Sequence, residues 1–193
     1  DFDNTIVCYD SLFHKAALKA GLLPHSVEET KLSVRDYLKK TSRHGAWEQL
    51  QAEVYGQSIM DAKPFMGAKA YIAAASKIHE IFIVSHKTEF PNSGKNVNLR
   101  KQARKWLDYN GFTTILSESS VFFEATRKEK IDRIRKLKCS VFIDDLLETF
   151  DFKEFPSGVR KILFDPNLEN PHRKNVSVLK SWEAAFQVVE MKK

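Results

Sequence analysis

Residues 140–145 read SVFIDD, in which an apolar run of three residues ends in two aspartates. A second run, EIFIVS at residues 80–85, has the same form and ends in Ser85. Short unbroken apolar runs of this kind are typical of parallel strands that are buried on both faces. The chain opens on DFDNT at residues 1–5. Polar side chains therefore stand at three places where a strand is expected to end.

Helical and extended segments alternate along the rest of the chain. Helices are predicted from apolar periodicity and terminal residues at 11–21, 28–40, 45–55, 68–77, 96–110, 128–137 and 182–190. Further strands are predicted at 121–123, 161–164 and 176–179. We expect Asp1 to end a strand whose other residues precede this sequence. The alternation predicts an α/β fold with a parallel sheet, whose carboxyl ends bring Asp1, Ser85 and Asp144 together.

The composition narrows the classes of function. The chain has 193 residues, 42% of them hydrophobic and 29% charged, which fits a folded domain with a modest insertion and excludes a disordered chain. No apolar run reaches the ~20 residues that a membrane span needs. Two distant cysteines, Cys8 and Cys139, predict free thiols in a reducing, cytoplasmic setting. The six histidines have no zinc-ligand spacing.

The charge balance favours an anionic partner. The formal net charge is +6 and the pI is about 9.2, values that suit phosphate esters, nucleotides or nucleic acid. The basic residues are spread along the chain, and no basic stretch is interleaved with aromatic residues as in a groove for single-stranded nucleic acid. A small phosphorylated substrate is therefore favoured over nucleic acid. Oligomeric state is not predicted.

Taken together, the polar strand ends resemble the motifs of the haloacid dehalogenase superfamily of phosphohydrolases. The four motifs of that superfamily correspond in chain order to Asp1-x-Asp3-x-Thr5, Ser85, Lys130 or Lys128, and Asp144-Asp145. Each motif alone is weak, but four in order and in the right strand contexts are a strong signal. The resemblance implies a three-layer Rossmann-like parallel sheet with a small helical cap inserted after the first strand. It divides the chain into a core, residues 1–9 and 65–193, and a cap, residues 10–64.

The resemblance also implies a Mg²⁺-dependent phosphomonoesterase that works through an aspartyl-phosphate on a small phosphate ester. Asp1 would be the nucleophile, and Asp3 would protonate the leaving oxygen and later activate water. Ser85 would hydrogen-bond a phosphoryl oxygen, and Lys130 or Lys128 would neutralise charge near Asp1.

A magnesium ion suits an all-oxygen site. The residues that the resemblance assigns to it are Asp1 and Asp144 by side chain, Asp3 by its backbone carbonyl, and Asp145 or Glu148 through bound water. Of the two lysines, Lys130 is preferred because it leaves Ile134 and Leu137 on the buried helix face.

Contacts to the substrate are predicted for Thr5, Ser85, His86, Lys128, Arg35 and Arg43. Thr5 also suits a turn-shaping role. His86 follows Ser85 on a strand, so the two side chains point to opposite sides, which argues against a Ser-His hydrolase. The polar segment at 87–98, which contains Gly94 and Lys95, either reaches the substrate or is a surface loop.

Several alternatives stay open. The pair Asp144-Asp145 also fits a helix cap. The presence of Asp3 argues against a dehalogenase, because that activity needs no acid at this position. A phosphomutase or a phosphatase of nucleic-acid ends would use the same motifs. A catalytically silent module that binds phosphate or nucleic acid would keep the fold without the chemistry.

Overall fold

The computed structural model describes residues 1–93 and 96–190, and for His44 and Glu190 it describes the backbone alone. Gly94 and Lys95 of the predicted polar segment lie outside the described residues. In chain order the elements are β1 (Val7–Cys8), α1 (Asp10–Lys19), α2 (Lys31–Lys40), α3 (His44–Tyr55), β2 (Lys63–Pro64), α4 (Ala68–Ala75), β3 (Ile83–His86), α5 (Leu99–Tyr109), β4 (Val121–Glu124), α6 (Arg127–Lys136), β5 (Val141–Asp144), α7 (Leu147–Phe150), β6 (Arg160–Phe164), β7 (Val176–Leu179) and α8 (Ala185–Glu190).

Short 3₁₀ segments at Gln57–Asp61, Glu118–Ser120 and Trp182–Ala184 supplement these elements. Among the described residues, no helix combines the length and the apolar character that crossing a bilayer demands.

The chain divides into two compact units. Unit 1 contains Asp1–Ile6, Pro64–Lys87 and the described residues from Phe112 onward, and unit 2 contains Val7–Lys63 and Thr88–Gly111. The predicted cap, 10–64, thus lies almost wholly in unit 2. Residues 88–111, which the sequence assigned to the core, belong to unit 2 as well.

Unit 1 carries the parallel strands, and the α/β class is confirmed. Strands β3 and β4 pair in parallel, with Ser85 opposite Phe123, and β5, β6 and β7 form a second parallel sheet, with Asp144 opposite Leu163. One continuous parallel sheet was predicted, whereas the strands β3 to β7 form two separate parallel sheets. Between them is a cavity of about 370 Å³ whose walls include Val84 of β3 and Phe142 of β5.

Apolar side chains hold the helices of unit 1 to its strands. One buried cluster joins both sheets with α6, α7 and the segment before β6: Val84, Ile131, Ile134, Phe142, Leu147, Phe150, Phe155, Val159 and Leu163. Burying one such side chain contributes about 1.5–3 kcal/mol. Because α6 presents Ile131 and Ile134 to this cluster, the phase of the helix is fixed, and Lys130 is buried on the same side.

Unit 2 is built from helices around a group of aromatic rings. Phe13 of α1 stacks on Trp47 of α3 at 4.8 Å, and Tyr55 meets Phe13 edge-on at 5.4 Å. Helix α5 joins this unit because the buried indole of Trp106 donates to the carbonyl of Ala62 at 2.9 Å. An indole N–H needs such a partner when it is buried, so this hydrogen bond helps to hold α5 in unit 2.

Both cysteines are free, as predicted. The Cys8 thiol, in unit 2, lies 3.8 Å from the carboxylate of Asp10. Burial, followed by the nearby Asp10 charge, raises the pKa of Cys8 from 9.0 to about 11. A thiol is nucleophilic only as the thiolate.

We therefore expect iodoacetamide to alkylate Cys8 at pH 8 about 100-fold more slowly than free cysteine, with the rate rising up to about pH 11. The measurement is the mass-spectrometric time course of Cys8 modification at several pH values. Modification as fast as that of free cysteine at pH 8 would contradict this environment.

Candidate functional site

A turn closed between Phe2 and Ile6 follows Asp1 and contains Asp3. Phe2 is fully buried and meets the ring of Phe123 on β4 edge-on at 5.4 Å. Its carbonyl accepts from the backbone N–H of Ile6 at 3.0 Å. Asn4 has a φ of +52°, a left-handed conformation that asparagine tolerates better than most residues. Asp1 and Asp3 lie on either side of the buried Phe2.

Asp1 lies at the carboxyl end of β5. Its main-chain nitrogen donates to the carbonyl of Ile143 at 2.7 Å. No strand is assigned at Asp1 in the described chain, and β1 begins only at Val7. The bond to Ile143 nevertheless brings Asp1 beside Asp144, the last residue of β5.

Lys130 contacts two acids that are far apart in sequence, Asp1 and Asp144. Its ammonium lies 2.8 Å from an oxygen of Asp1 and 2.6 Å from an oxygen of Asp144. The side chain of Lys130 is 5% exposed and that of Asp144 is 0% exposed. A buried ammonium needs carboxylate partners to offset its loss of hydration.

The start of α6 explains which lysine reaches the acids. Thr126 accepts from the backbone N–H of Glu129 at 3.1 Å, and the Glu129 carboxylate accepts from the Thr126 N–H at 2.9 Å. This capping box fixes the first turn of the helix. Lys130 then faces the strands, while Lys128 is exposed and pairs with Asp132 at 3.2 Å.

Three acids lie close enough to hold one cation. Asp1, Asp144 and Asp145 each offer a carboxylate oxygen, and these three atoms lie within 4.8 Å of one another. The donor set is all oxygen, which suits a hard divalent ion such as Mg²⁺. Three carboxylates beside one ammonium leave an excess of negative charge, so the residues fit a divalent cation.

Asp144 does not act as the helix cap that the sequence left open. Its Oδ1 accepts from the N–H of Leu146 at 3.0 Å, and its Oδ2 accepts from Lys130. The N-cap of α7 is Leu146, which makes no side-chain cap. Each oxygen of Asp144 thus has a partner that holds the residue at the strand end, and a carboxylate oxygen with one such partner can still coordinate a cation. Glu148 is exposed in the first turn of α7.

Asp3 has a lysine of its own, which the sequence did not single out. The ammonium of Lys87 lies 3.0 Å from one oxygen of the Asp3 carboxylate and 2.9 Å from the other. The Lys87 side chain is 2% exposed, although the sequence places this residue at the start of a polar segment. The one available signal was its position directly after β3.

The remaining candidates of unit 1 differ in accessibility. Ser85 is buried on β3, and Thr5 is fully buried, with its carbonyl accepting from the indole of Trp182 at 2.8 Å. His86 is exposed, and its ring lies 3.1 Å from the carbonyl of Ala125. Partial burial of the ring lowers the pKa of His86, which favours the neutral imidazole at pH 7. A neutral ring is a weak ligand for a phosphate dianion.

The two arginine candidates lie in unit 2. Arg35 pairs with its neighbour Asp36 at 2.9 Å, and Arg43 donates to the carbonyl of Leu22 at 2.9 Å. Both guanidinium groups therefore have local partners within the helical unit.

Comparison with known proteins yields no relative for this chain: no protein-family model, no curated protein and no solved structure matches it.

Proposed function

We propose that this protein is a Mg²⁺-dependent phosphomonoesterase that works through an aspartyl-phosphate on Asp1. The observation that carries the proposal is the convergence of Asp1, Asp144 and Asp145 beside the buried ammonium of Lys130. Carboxylates in so small a space repel one another strongly unless positive charge offsets them. This cluster favours a bound cation over a purely structural role.

Asp1, Asp144 and Asp145 would hold the metal through carboxylate oxygens, which are ligands that suit Mg²⁺. When bound, Mg²⁺ supplies charge neutralisation, which lets a carboxylate approach a phosphate dianion. Lys130 would add a second positive charge beside the attacking carboxylate, because its ammonium contacts one oxygen of Asp1. Ser85 would donate its hydroxyl proton to a phosphoryl oxygen.

The reaction proceeds in two transfers. In the first, an oxygen of Asp1 forms a bond to phosphorus, the bond from phosphorus to the ester oxygen breaks, and Asp3 gives its proton to the departing alcohol. In the second, water attacks the phosphorus of the aspartyl-phosphate and gives a proton to Asp3. The bond to Asp1 then breaks, which releases inorganic phosphate and restores both side chains.

The fold is proposed to be the three-layer sheet of the haloacid dehalogenase superfamily. Support comes from the order of the four motifs along the chain and from the parallel strands β3 and β5, which end in Ser-His and in aspartate. The acid at Asp3 argues against dehalogenase chemistry, which needs no proton donor for a leaving alcohol.

Phosphate release tests the proposed function. Wild-type protein with Mg²⁺ is expected to hydrolyse p-nitrophenyl phosphate, and removal of Mg²⁺ by EDTA is expected to lower the rate at least about 100-fold, reversibly. The same assay on a panel of phosphorylated metabolites identifies the substrate class, and analysis of the products separates a phosphatase from a phosphomutase.

Three outcomes would reject the phosphatase activity or support one of the alternatives. No phosphate release from any phosphomonoester in the presence of Mg²⁺ would reject the proposed activity. Tight binding of a phosphate-mimicking metal fluoride without turnover would support a catalytically silent module. Salt-dependent binding of DNA or RNA would support a nucleic-acid partner instead.

A further inference from the structure

We propose that Lys87 is a positioning residue that orients the carboxyl group of Asp3 for proton transfer to the leaving group. The proposal rests on the phosphomonoesterase function and concerns a residue outside the four motifs. It assigns a separate lysine to each acid of the opening turn: Lys130 to Asp1, and Lys87 to Asp3.

The ammonium of Lys87 contacts both oxygens of the Asp3 carboxylate. The Lys87 ammonium is nearly equidistant from the two oxygens, at 3.0 and 2.9 Å. Contacts to both oxygens hold the carboxyl group at one distance and in one direction from Lys87, whereas a single contact would let the other oxygen swing away. The Asp3 side chain is 18% exposed, so part of it remains open to a reacting group.

Lys87 is itself held in place. Its backbone N–H donates to the carbonyl of Glu124, at the end of β4, at 2.8 Å. Its ammonium lies 5.5 Å from the centre of the Phe2 ring, a distance at which the ring face attracts a cation. The side chain thus joins the end of the β3–β4 sheet to the turn that carries Asp3.

The burial of Lys87 ties its ammonium to the carboxylate of Asp3. A buried ammonium without a partner is strongly destabilising, so a lysine in this position needs a nearby carboxylate. The contact is made across 84 positions of sequence, which requires the strand and the turn to be folded. Such a pair is suited to holding a functional acid in one orientation.

The orientation of Asp3 should matter only for esters whose leaving group needs a proton. When the phosphorus–oxygen bond of the ester breaks and the bond to Asp1 forms, an alkoxide leaving group needs the proton of Asp3, whereas a nitrophenolate is stable without it. Once it has given up its proton, the Asp3 carboxylate faces the Lys87 ammonium. Misplacing a reacting group by about 1 Å costs on the order of 100-fold in rate.

The test compares two esters in three single variants. We expect Lys87→Met to lower kcat/KM for a primary alkyl phosphate by about 100-fold or more, and for p-nitrophenyl phosphate by less than about tenfold. Asp3→Asn should show the same selectivity. Lys87→Arg keeps a positive charge that can contact both oxygens and should recover part of the loss on the alkyl ester.

The parameter kcat/KM reports the steps through transfer of the phosphoryl group to Asp1, so the later hydrolysis, which both esters share, does not enter the comparison. The matched control is Lys153→Met, which changes an exposed lysine of the same unit. Circular dichroism of each variant verifies the fold, and Lys87→Gln replaces Lys87→Met if the latter does not fold.

A double variant separates positioning from general damage. If Lys87 acts through Asp3, then Asp3→Asn combined with Lys87→Met is no slower on the alkyl ester than Asp3→Asn alone. Equal losses on both esters, or additive losses in the double variant, would overturn the role of Lys87 while the phosphatase stands. Wild-type protein inactive on both esters would reject the proposed function, and this role with it.

Discussion

Asp1→Asn is expected to lower phosphate release by at least about 10⁴-fold, because the amide of asparagine cannot form the phosphoryl intermediate. Enzymes supply rate enhancements of about 10⁶-fold and more, and loss of the nucleophile forfeits much of this. The substitution is nearly isosteric, and it keeps the main-chain nitrogen that donates to Ile143, so the turn should persist. The measurement is phosphate release under single-turnover and steady-state conditions with saturating Mg²⁺.

The matched control for this substitution is Asp151→Asn, which removes an exposed acid of the same unit. Asp151 lies 3.7 Å from Arg173 in an exposed pair, and such pairs contribute little. Its activity should equal that of the wild type. Turnover by Asp1→Asn within tenfold or so of the wild type would show that another group attacks the phosphorus.

Lys130→Met is expected to impair both stability and activity. It leaves the carboxylates of Asp1 and Asp144 buried beside each other with no ammonium between them. Removing one partner of a buried ion pair costs about 3–5 kcal/mol, which urea unfolding without metal would measure. The value of kcat/KM should fall by at least about 100-fold, because positive charge is lost where negative charge builds up in the transition state.

Magnesium should restore part of the stability that Lys130→Met loses, since a cation at the same carboxylates offsets the same repulsion. Lys128→Met is the matched control on the same helix, because the Lys128 side chain is exposed and pairs with Asp132 rather than with the acids of the site. Lys128→Met should lower the free energy of unfolding by less than about 1 kcal/mol. Equal stability and activity of the two lysine variants would contradict the assignment of Lys130 to the acids.

The sequence predicts much of the local structure because local rules govern it. The run before Asp144 is apolar and lies where β5 forms, and the helix predicted at 128–137 is observed as α6 at Arg127–Lys136. Observed bounds differ from the predicted ones by one to three residues at most ends, as fraying of terminal turns makes expected. The four-residue α7 and the 3₁₀ segments are too short for periodicity to reveal.

The long-range features were harder to predict. Lys87 is a lysine at the start of a polar segment, and only its pairing with Asp3 across the folded chain explains its burial. Residues 88–111 join unit 2 through the indole of Trp106 and the carbonyl of Ala62, a contact that no local pattern encodes. The separation of β3–β4 from β5–β6–β7 was likewise not predicted, since strand order depends on tertiary packing.

The proposed mechanism requires Asp1 to accept a phosphoryl group next to a cation held by the acids around it. Borohydride trapping during turnover tests this most directly, because borohydride reduces an aspartyl-phosphate to homoserine, which peptide mass spectrometry locates. We expect homoserine at residue 1 only when both Mg²⁺ and a phosphate ester are present. Release of phosphate with residue 1 unchanged, or with the modification at another residue, would contradict the mechanism.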